Sequence, residues 1–254
     1  MSGSVPTRVT ELVIGAPIDV LGWDDTISRI AGWARQHHGR VVCICNAHSL
    51  VTARHDAAFG RVLAQADMCT PDGAPVAWML RRLGHAGQPR INGPDLMWRY
   101  CRHAAAQGES IYLYGASDAT LELLQRCLRD AFPALRIAGS RSPPFRPLTA
   151  EEDAADVAAI NASGAGTVWV SLGCPKQELW MAAHRGSVQA VMVGVGAAFD
   201  YHAGTLRRAP PWAQRVGLEW LHRLVHEPRR LWRRYLFTNL AFIIAAAQQL
   251  LKRR

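Results

Sequence analysis

Asp72 lies in "CTPDGAPVAW", between Pro71 and Gly73, after an apolar-leaning run and before a helical pattern. A carboxylate there can form a turn or accept a proton, and the segment alone does not choose. In "SLGCPKQE" (171–178) Lys176, Gln177 and Glu178 fall in the first turn of a helix opened by Pro175. Lys176 is unfavourable beside the positive end of a helix dipole. It therefore reads either as the neighbour of an anion such as a pyrophosphate or as a solvated lysine. Gly115 opens Gly-Ala-Ser between a strand and a helix, where backbone N–H groups could face a phosphate. An ordinary strand-to-helix turn looks the same. Arg90 comes shortly before an Asn-Gly-Pro turn, and a guanidinium there could hold a phosphate through two bonds. Asp95 fits a first-turn helix residue favoured by the dipole better than a catalyst.

Other chemistries lack their spacing. His37, His38, His48, His55 and His85 are scattered, with no HExxH pair, and no metal site or cofactor is expected. His184, four residues after Trp180 on a helix, reads as packing or surface. Asp-x-Asp and GxSxG are absent, and "GVGAAFD" misses the GxGxxG fingerprint, which disfavours a nicotinamide-dependent dehydrogenase. The cysteines at 43, 45, 69, 101, 127 and 174 form no CxxC pair. They read as reduced, mostly buried thiols of a cytoplasmic protein. The start of the chain reads as having no signal peptide.

These residues need a frame, and the sequence supplies one. Short β-rich runs ("ELVIGAPIDVL", "VVCIC", "DMCT", "SIYLYG", "LRIAGS", "TVWVSLG", "AVMVGVG") alternate with amphipathic helical runs. That pattern predicts an α/β domain with a mostly parallel sheet. Ligands of such sheets bind outside the carboxyl ends of the strands. The loops carrying Asn46, Asp72, Gly115–Ser117, Gly173–Gln177 and Gly194–Asp200 are therefore the ones expected to matter. The first helix is expected to have Asp24 or Asp25 near its N-cap. The helical run 47–66 is expected to break near Gly60. Ser117 or Asp118, and Thr149, are expected to cap later helices.

The chain has 254 residues, 49% hydrophobic, enough for a sizeable core, and a net charge of +9. Residues 1–204 contain 18 Lys/Arg and 18 Asp/Glu, whereas residues 205–254 contain 11 Lys/Arg and only Glu219 and Glu227. The whole excess lies in the tail, which predicts an anionic partner there. The division expected is a catalytic domain over 1–204 and a helical appendage over 205–254. Pro228 should split the appendage into two helices. In the second, Leu231, Trp232, Tyr235, Leu236, Leu240, Ile243, Ile244 and Ala247 form an apolar stripe. The apolar part from Leu236 to Leu251 is interrupted by Asn239, Gln248 and Gln249 and is shorter than the ~20 residues of a membrane span. It reads as lying in a membrane interface; the alternative is packing on the body or on another subunit.

The motifs "PDG" (71–73), "RINGPDL" (90–96), "SLGCPKQE" (171–178), "GVGAAFDYHAG" (194–204), "RRAPPW" (207–212) and "GLEWLHRLVHEPRRLWRRY" (217–235) together resemble, in order, the WecG/TagA/CpsF family of bacterial glycosyltransferases. The resemblance runs from about residue 12 to about residue 240. It implies a Rossmann-like body with a basic appendage that attaches to the inner face of the cell membrane. It implies transfer of a sugar from a UDP-sugar to a polyprenyl-diphosphate-linked sugar, with inversion and without an obligatory metal, in surface or exopolysaccharide synthesis. It implies Asp72 as the catalytic base and Asn46, Arg90 and Gln177 as active-site positions. It places Arg223, Arg230 and Arg233 or Arg234 over the donor phosphates. The family often has Thr where this chain has Ile44, which removes one possible hydrogen bond to the sugar.

The residues agree with that mechanism independently. The departing diphosphate needs positive charge, and a chain without Asp-x-Asp but rich in tail arginine can supply it with side chains. A lipid-linked acceptor cannot leave the bilayer, and each arginine near an anionic leaflet adds roughly 1 kcal/mol. The rival readings are a basic nucleic-acid-binding protein, which the Trp and Ile stripe fits less well than lipid, and an inactive membrane-bound scaffold. A homo-oligomer is possible on either reading.

Overall fold

Strands that are apolar along nearly their whole length belong inside a sheet covered on both faces. In the computed structural model, which describes residues 8–215 and 217–253, such strands build the centre of the molecule. The side chains of Pro211, Arg215, Arg230, Arg233 and Arg234 lie outside the described residues. The strands are β1 (Thr10–Val13), β2 (Ala16–Asp19), β3 (Val41–Cys45), β4 (Met68–Pro71), β5 (Ser110–Gly115), β6 (Arg136–Arg141), β7 (Thr167–Ser171) and β8 (Val191–Gly194). Strands β3 to β8 form one parallel six-stranded sheet in the order β4-β3-β8-β7-β5-β6. The expected α/β architecture is present.

Strands β1 and β2 form an antiparallel hairpin of their own. It closes the β4 edge, because the buried Asp19 carboxylate accepts the Cys69 backbone N–H at 2.7 Å and pairs with Arg8 at 2.9 Å. The other edge strand, β6, is largely exposed and carries an arginine at each end, charge that discourages edge-to-edge pairing.

The helices are α1 (Trp23–Arg35), α2 (Ala47–His55), α3 (Ala57–Gln65), α4 (Gly73–Arg82), α5 (Gly93–Gln107), α6 (Asp118–Ala131), α7 (Ala150–Ala162), α8 (Lys176–Ala183), α9 (Ala198–Ala203), α10 (Pro211–Arg215), α11 (Glu219–His226) and α12 (Pro228–Lys252). Successive strand residues alternate between two cores. Cys43, Cys45, Val168, Val170 and Met192 join Leu50, Phe59, Met79 and Leu80 on one face. Val42, Ile44, Leu113, Trp169 and Val193 join Ile30, Met97, Tyr100 and Leu124 on the other. All six cysteines are free; Cys43, Cys45, Cys69 and Cys101 are buried, and Cys127 and Cys174 are partly so.

Some boundaries differ from the sequence reading. The run 47–66 breaks at Asp56, not Gly60, because Asp56 can end α2 and cap α3, accepting from Ala58 N and Phe59 N. Gly60 lies inside α3, where a Cβ would come within 2.9 Å of the Ala53 carbonyl. Its lack of a side chain lets the two helices pack closely. Helix α1 is entered from Gly22, and Asp25 supports it from the third helical position. Ser117 and Thr149 cap α6 and α7 as expected.

Among the described residues the tail holds three helices rather than two. Pro228 starts α12, but the segment before it is itself divided into α10 and α11. Helix α12 has two faces. Leu231, Thr238, Phe242, Ala245 and Ala246 are buried, the last three apolar residues within the first core. Gln249 accepts the Ile14 N–H at 2.7 Å and donates to the Leu12 carbonyl at 2.5 Å, fastening α12 to the β1–β2 hairpin. The opposite face keeps Trp232, Leu236, Leu240, Ile243 and Ile244 in solvent, with Ile243 63% exposed. Most of the expected stripe is thus exposed; Leu231 is buried, and Tyr235 is half-buried, at the cleft and against Trp220. Among the described residues no helix is long and apolar enough to cross a membrane.

Candidate active site

The carboxyl ends of β3, β4, β7 and β8 open into one cleft of about 330 Å³, roofed by residues of α11 and α12. It is lined by Asn46 after β3, Asp72 after β4, Gln177 and Glu178 after β7, and Gly194–Ala198 after β8. Arg90 comes from the loop before α5, and Glu219, Trp220, Arg223, Tyr235 and Asn239 come from the tail.

Asp72 stands at the N-cap of α4, yet it makes no capping hydrogen bond. Its carboxylate meets the Gly73 N–H at the helix start but makes no capping bond to the N–H groups beyond it. Burial pushes it up to about 6, and the nearby Glu219 carboxylate raises it too, against the lowering pull of Arg90, the Gly73 N–H and the Asn46 side chain. A carboxylate that titrates near 6 is a far better base than one at its ordinary value.

Its neighbours are fixed by local structure. Asn46 caps α2 through Oδ1, which accepts from His48 N at 3.0 Å and Ser49 N at 3.2 Å. With that oxygen committed, its amide nitrogen is left for Asp72. The loop before α5 is stitched to β4 by Ile91 N donating to the Pro71 carbonyl at 2.9 Å. That bond sets Arg90 beside Asp72. Arg90 donates to Glu219 across the cleft. Arg208 also approaches Glu219, at 3.7 Å, and bonds Asp95 at 2.6 Å. Asp95 is the third residue of α5, under the Asn92 cap, so it acts as an anchor for the tail. Arg223 has a buried Nε without a hydrogen-bond partner among the described residues.

Of the residues singled out from sequence, Asn46, Asp72, Arg90, Gln177 and Arg223 meet in this cleft. Arg230, Arg233 and Arg234 have side chains outside the described residues. Gly115 and Lys176 are not among the lining residues. At Gly115 a Cβ would fall 2.4 Å from the Ser171 carbonyl, so this glycine serves close packing of β5 on β7. Lys176 is exposed, because one helical step turns a side chain by about 100° and Gln177 and Glu178 take the inward positions. Ile44 forms part of the wall. His184, with Nε2 2.8 Å from Asp153 and its ring on Trp180, serves packing.

Sequence reasoning missed Glu219, Tyr201 and His48 as lining residues. A usable signal existed for Glu219, one of two acids in a strongly basic tail. Among the described residues no group of three His, Cys, Asp or Glu side chains could hold a metal ion.

A parallel α/β sheet with a basic carboxylate and opposed guanidinium groups at its carboxyl edge is equipped for group transfer from an anionic leaving group. The chain belongs to the glycosyl transferase WecG/TagA/CpsF family, whose description matches residues 11–254. It is similar to an N-acetylglucosaminyldiphosphoundecaprenol N-acetyl-beta-D-mannosaminyltransferase of Bacillus spizizenii, 34% identical over 203 residues that cover 79% of this chain and 76% of the relative. It is an enzyme, a glycosyltransferase.

Proposed function

We propose that this enzyme moves N-acetylmannosamine from its UDP derivative to a polyprenyl-diphosphate-linked N-acetylglucosamine, with inversion and without a metal, in surface-polysaccharide synthesis. Glucose is the alternative donor sugar. The observation that carries the reading is Asp72, without a helix-capping bond and raised to about 6, in one cleft with Arg90, Gln177 and Arg223. The name of the Bacillus spizizenii relative supports the choice of sugars.

In this mechanism Asp72 takes the proton of the acceptor hydroxyl. The hydroxyl oxygen attacks the anomeric carbon from the side opposite UDP. The bond from that carbon to the diphosphate oxygen breaks, and its electron pair leaves with UDP. Arg90 and Arg223 are the described cations placed to meet the charge that develops there, a task a metal ion performs in other group-transfer sites. Arg230, Arg233 and Arg234 would add to them.

The test is UDP release from UDP-N-acetylmannosamine and UDP-glucose, each with a short-chain polyprenyl-diphosphate N-acetylglucosamine, with and without EDTA. Release with the first donor, unchanged by EDTA, is expected. Release from neither donor contradicts the reading, and loss in EDTA restored by magnesium contradicts metal independence.

We also place the enzyme on the inner membrane surface through α12. The exposed stripe of Leu236, Leu240, Ile243 and Ile244 beside a run of arginines fits a lipid interface. The pair Leu240→Glu and Ile243→Glu should weaken binding to vesicles containing anionic lipid at least tenfold without lowering the melting temperature. Unchanged vesicle binding, or salt-sensitive binding to DNA in place of vesicles, would favour another partner.

A further inference from the structure

Gln177 and Glu178 adjoin in sequence and share the floor of the cleft, 4% and 1% exposed. The Gln177 amide is held at both ends. Its Oε1 accepts the Gly196 backbone N–H at 3.0 Å, and its Nε2 donates to Glu178 Oε1 at 2.9 Å. Gly194 closes over it, since a Cβ there would come within 3.1 Å of Gln177 Nε2. The second oxygen of Glu178 is buried and, among the described residues, has no close hydrogen-bond partner; the Cys174 thiol beside the carboxyl favours its charged form. Such a group costs stability.

Turning the amide over would set its N–H groups against the Gly196 N–H and its carbonyl against the Glu178 carboxyl. The first contact is repulsive in either protonation state of Glu178 and the second when Glu178 is ionised, so the Gly196 N–H and the Glu178 carboxylate choose the same orientation. In that orientation one Nε2–H is occupied by Glu178 and the other remains for a ligand in the cleft. Glu178 can accept the bond in either protonation state.

We infer that Glu178 is a positioning residue that fixes the Gln177 amide as a hydrogen-bond donor toward an oxygen acceptor of the sugar substrate. This rests on the cleft being the sugar-transfer site. The role assigns to Glu178 no contact with the reacting atoms. It acts through the amide, and its effect should vanish when the amide is gone.

A double-mutant cycle tests this, read as UDP release with UDP-N-acetylmannosamine. Glu178→Met keeps the length of the side chain and removes the acceptor; kcat/KM should fall tenfold or more. Glu178→Gln keeps an acceptor oxygen and should stay within threefold of the wild type. In a Gln177→Ala background, itself impaired, Glu178→Met should add less than a twofold loss. Full activity of Glu178→Met, a loss in Glu178→Gln equal to that in Glu178→Met, or an undiminished further loss in the Gln177→Ala background overturns the inference. So does a fully active Gln177→Ala enzyme. Absence of UDP release from the wild type would instead strike the reading of the cleft. A measurement on the wild type needs neither variants nor turnover. The two side-chain amide protons of Gln177 should exchange with solvent at rates at least tenfold apart, the one bonded to Glu178 being slower. Equal rates overturn the proposal.

Discussion

Replacing Asp72 by Asn should lower kcat by about 10²–10⁴-fold, the range expected for loss of a general base. Asparagine keeps the size and polarity of the side chain, and Asp72 makes no capping bond that the change would break. The fold should therefore survive, with a melting temperature close to that of the wild type. The sign of the pH dependence follows from burial raising this carboxyl to about 6. A base works only when deprotonated. The kcat/KM profile, which reports the free enzyme, should rise with pH through about 6 and level off above it. At an ordinary carboxylate value the rise would come two units lower. An Asp72→Asn enzyme with undiminished UDP release would remove this residue from the mechanism.

Replacing Arg90 by Ala should lower kcat/KM by about 10²–10³-fold, as expected for losing one charged group aimed at a developing anion. It should also move the acid limb. Arg90 lowers the Asp72 carboxyl, whereas Glu219 raises it. Without Arg90 the limb should therefore shift upward. With Glu219→Gln it should shift downward, because the repelling charge is gone and Arg90 is no longer engaged by it. Opposite shifts from two residues that bond each other are hard to obtain from general damage to the fold. Parallel shifts, or none, would show that the pair does not govern Asp72.

The parts of this site that were legible in the sequence are those set by local rules. Central parallel strands such as Val41–Cys45 and Thr167–Ser171 are buried on both faces and must read as apolar runs. Their carboxyl ends then point to Asn46, Asp72 and Gln177 without further information. The exposed stripe of α12 was legible for a similar reason, since helical period alone places Leu236, Leu240 and Ile243 together. What was hidden depended on which surface meets which. Gly115 and Lys176 occupy the right loops, but one is spent on packing against Ser171 and the other turns outward. Glu219 reaches Arg90 only because α11 folds back across the cleft, a long-range event no local pattern encodes. The break falls at Asp56 and not at Gly60, because an aspartate that accepts two N–H groups makes a better boundary than a glycine.

The strand order has a consequence for how the enzyme comes into being. Strand β8 lies between β3 and β7, although it is the last strand of the sheet to leave the ribosome. Until it is made, β3 has one edge without its final partner. Asn46 and Asp72 then have no Gly194–Ala198 loop facing them and no Gln177 tied to Gly196. Pairings this distant along the chain form late and expose open edges in the interval. A partly synthesised chain therefore lacks one wall of the cleft until the central strand enters the sheet. The tail residues Glu219 and Arg223, made later still, complete it.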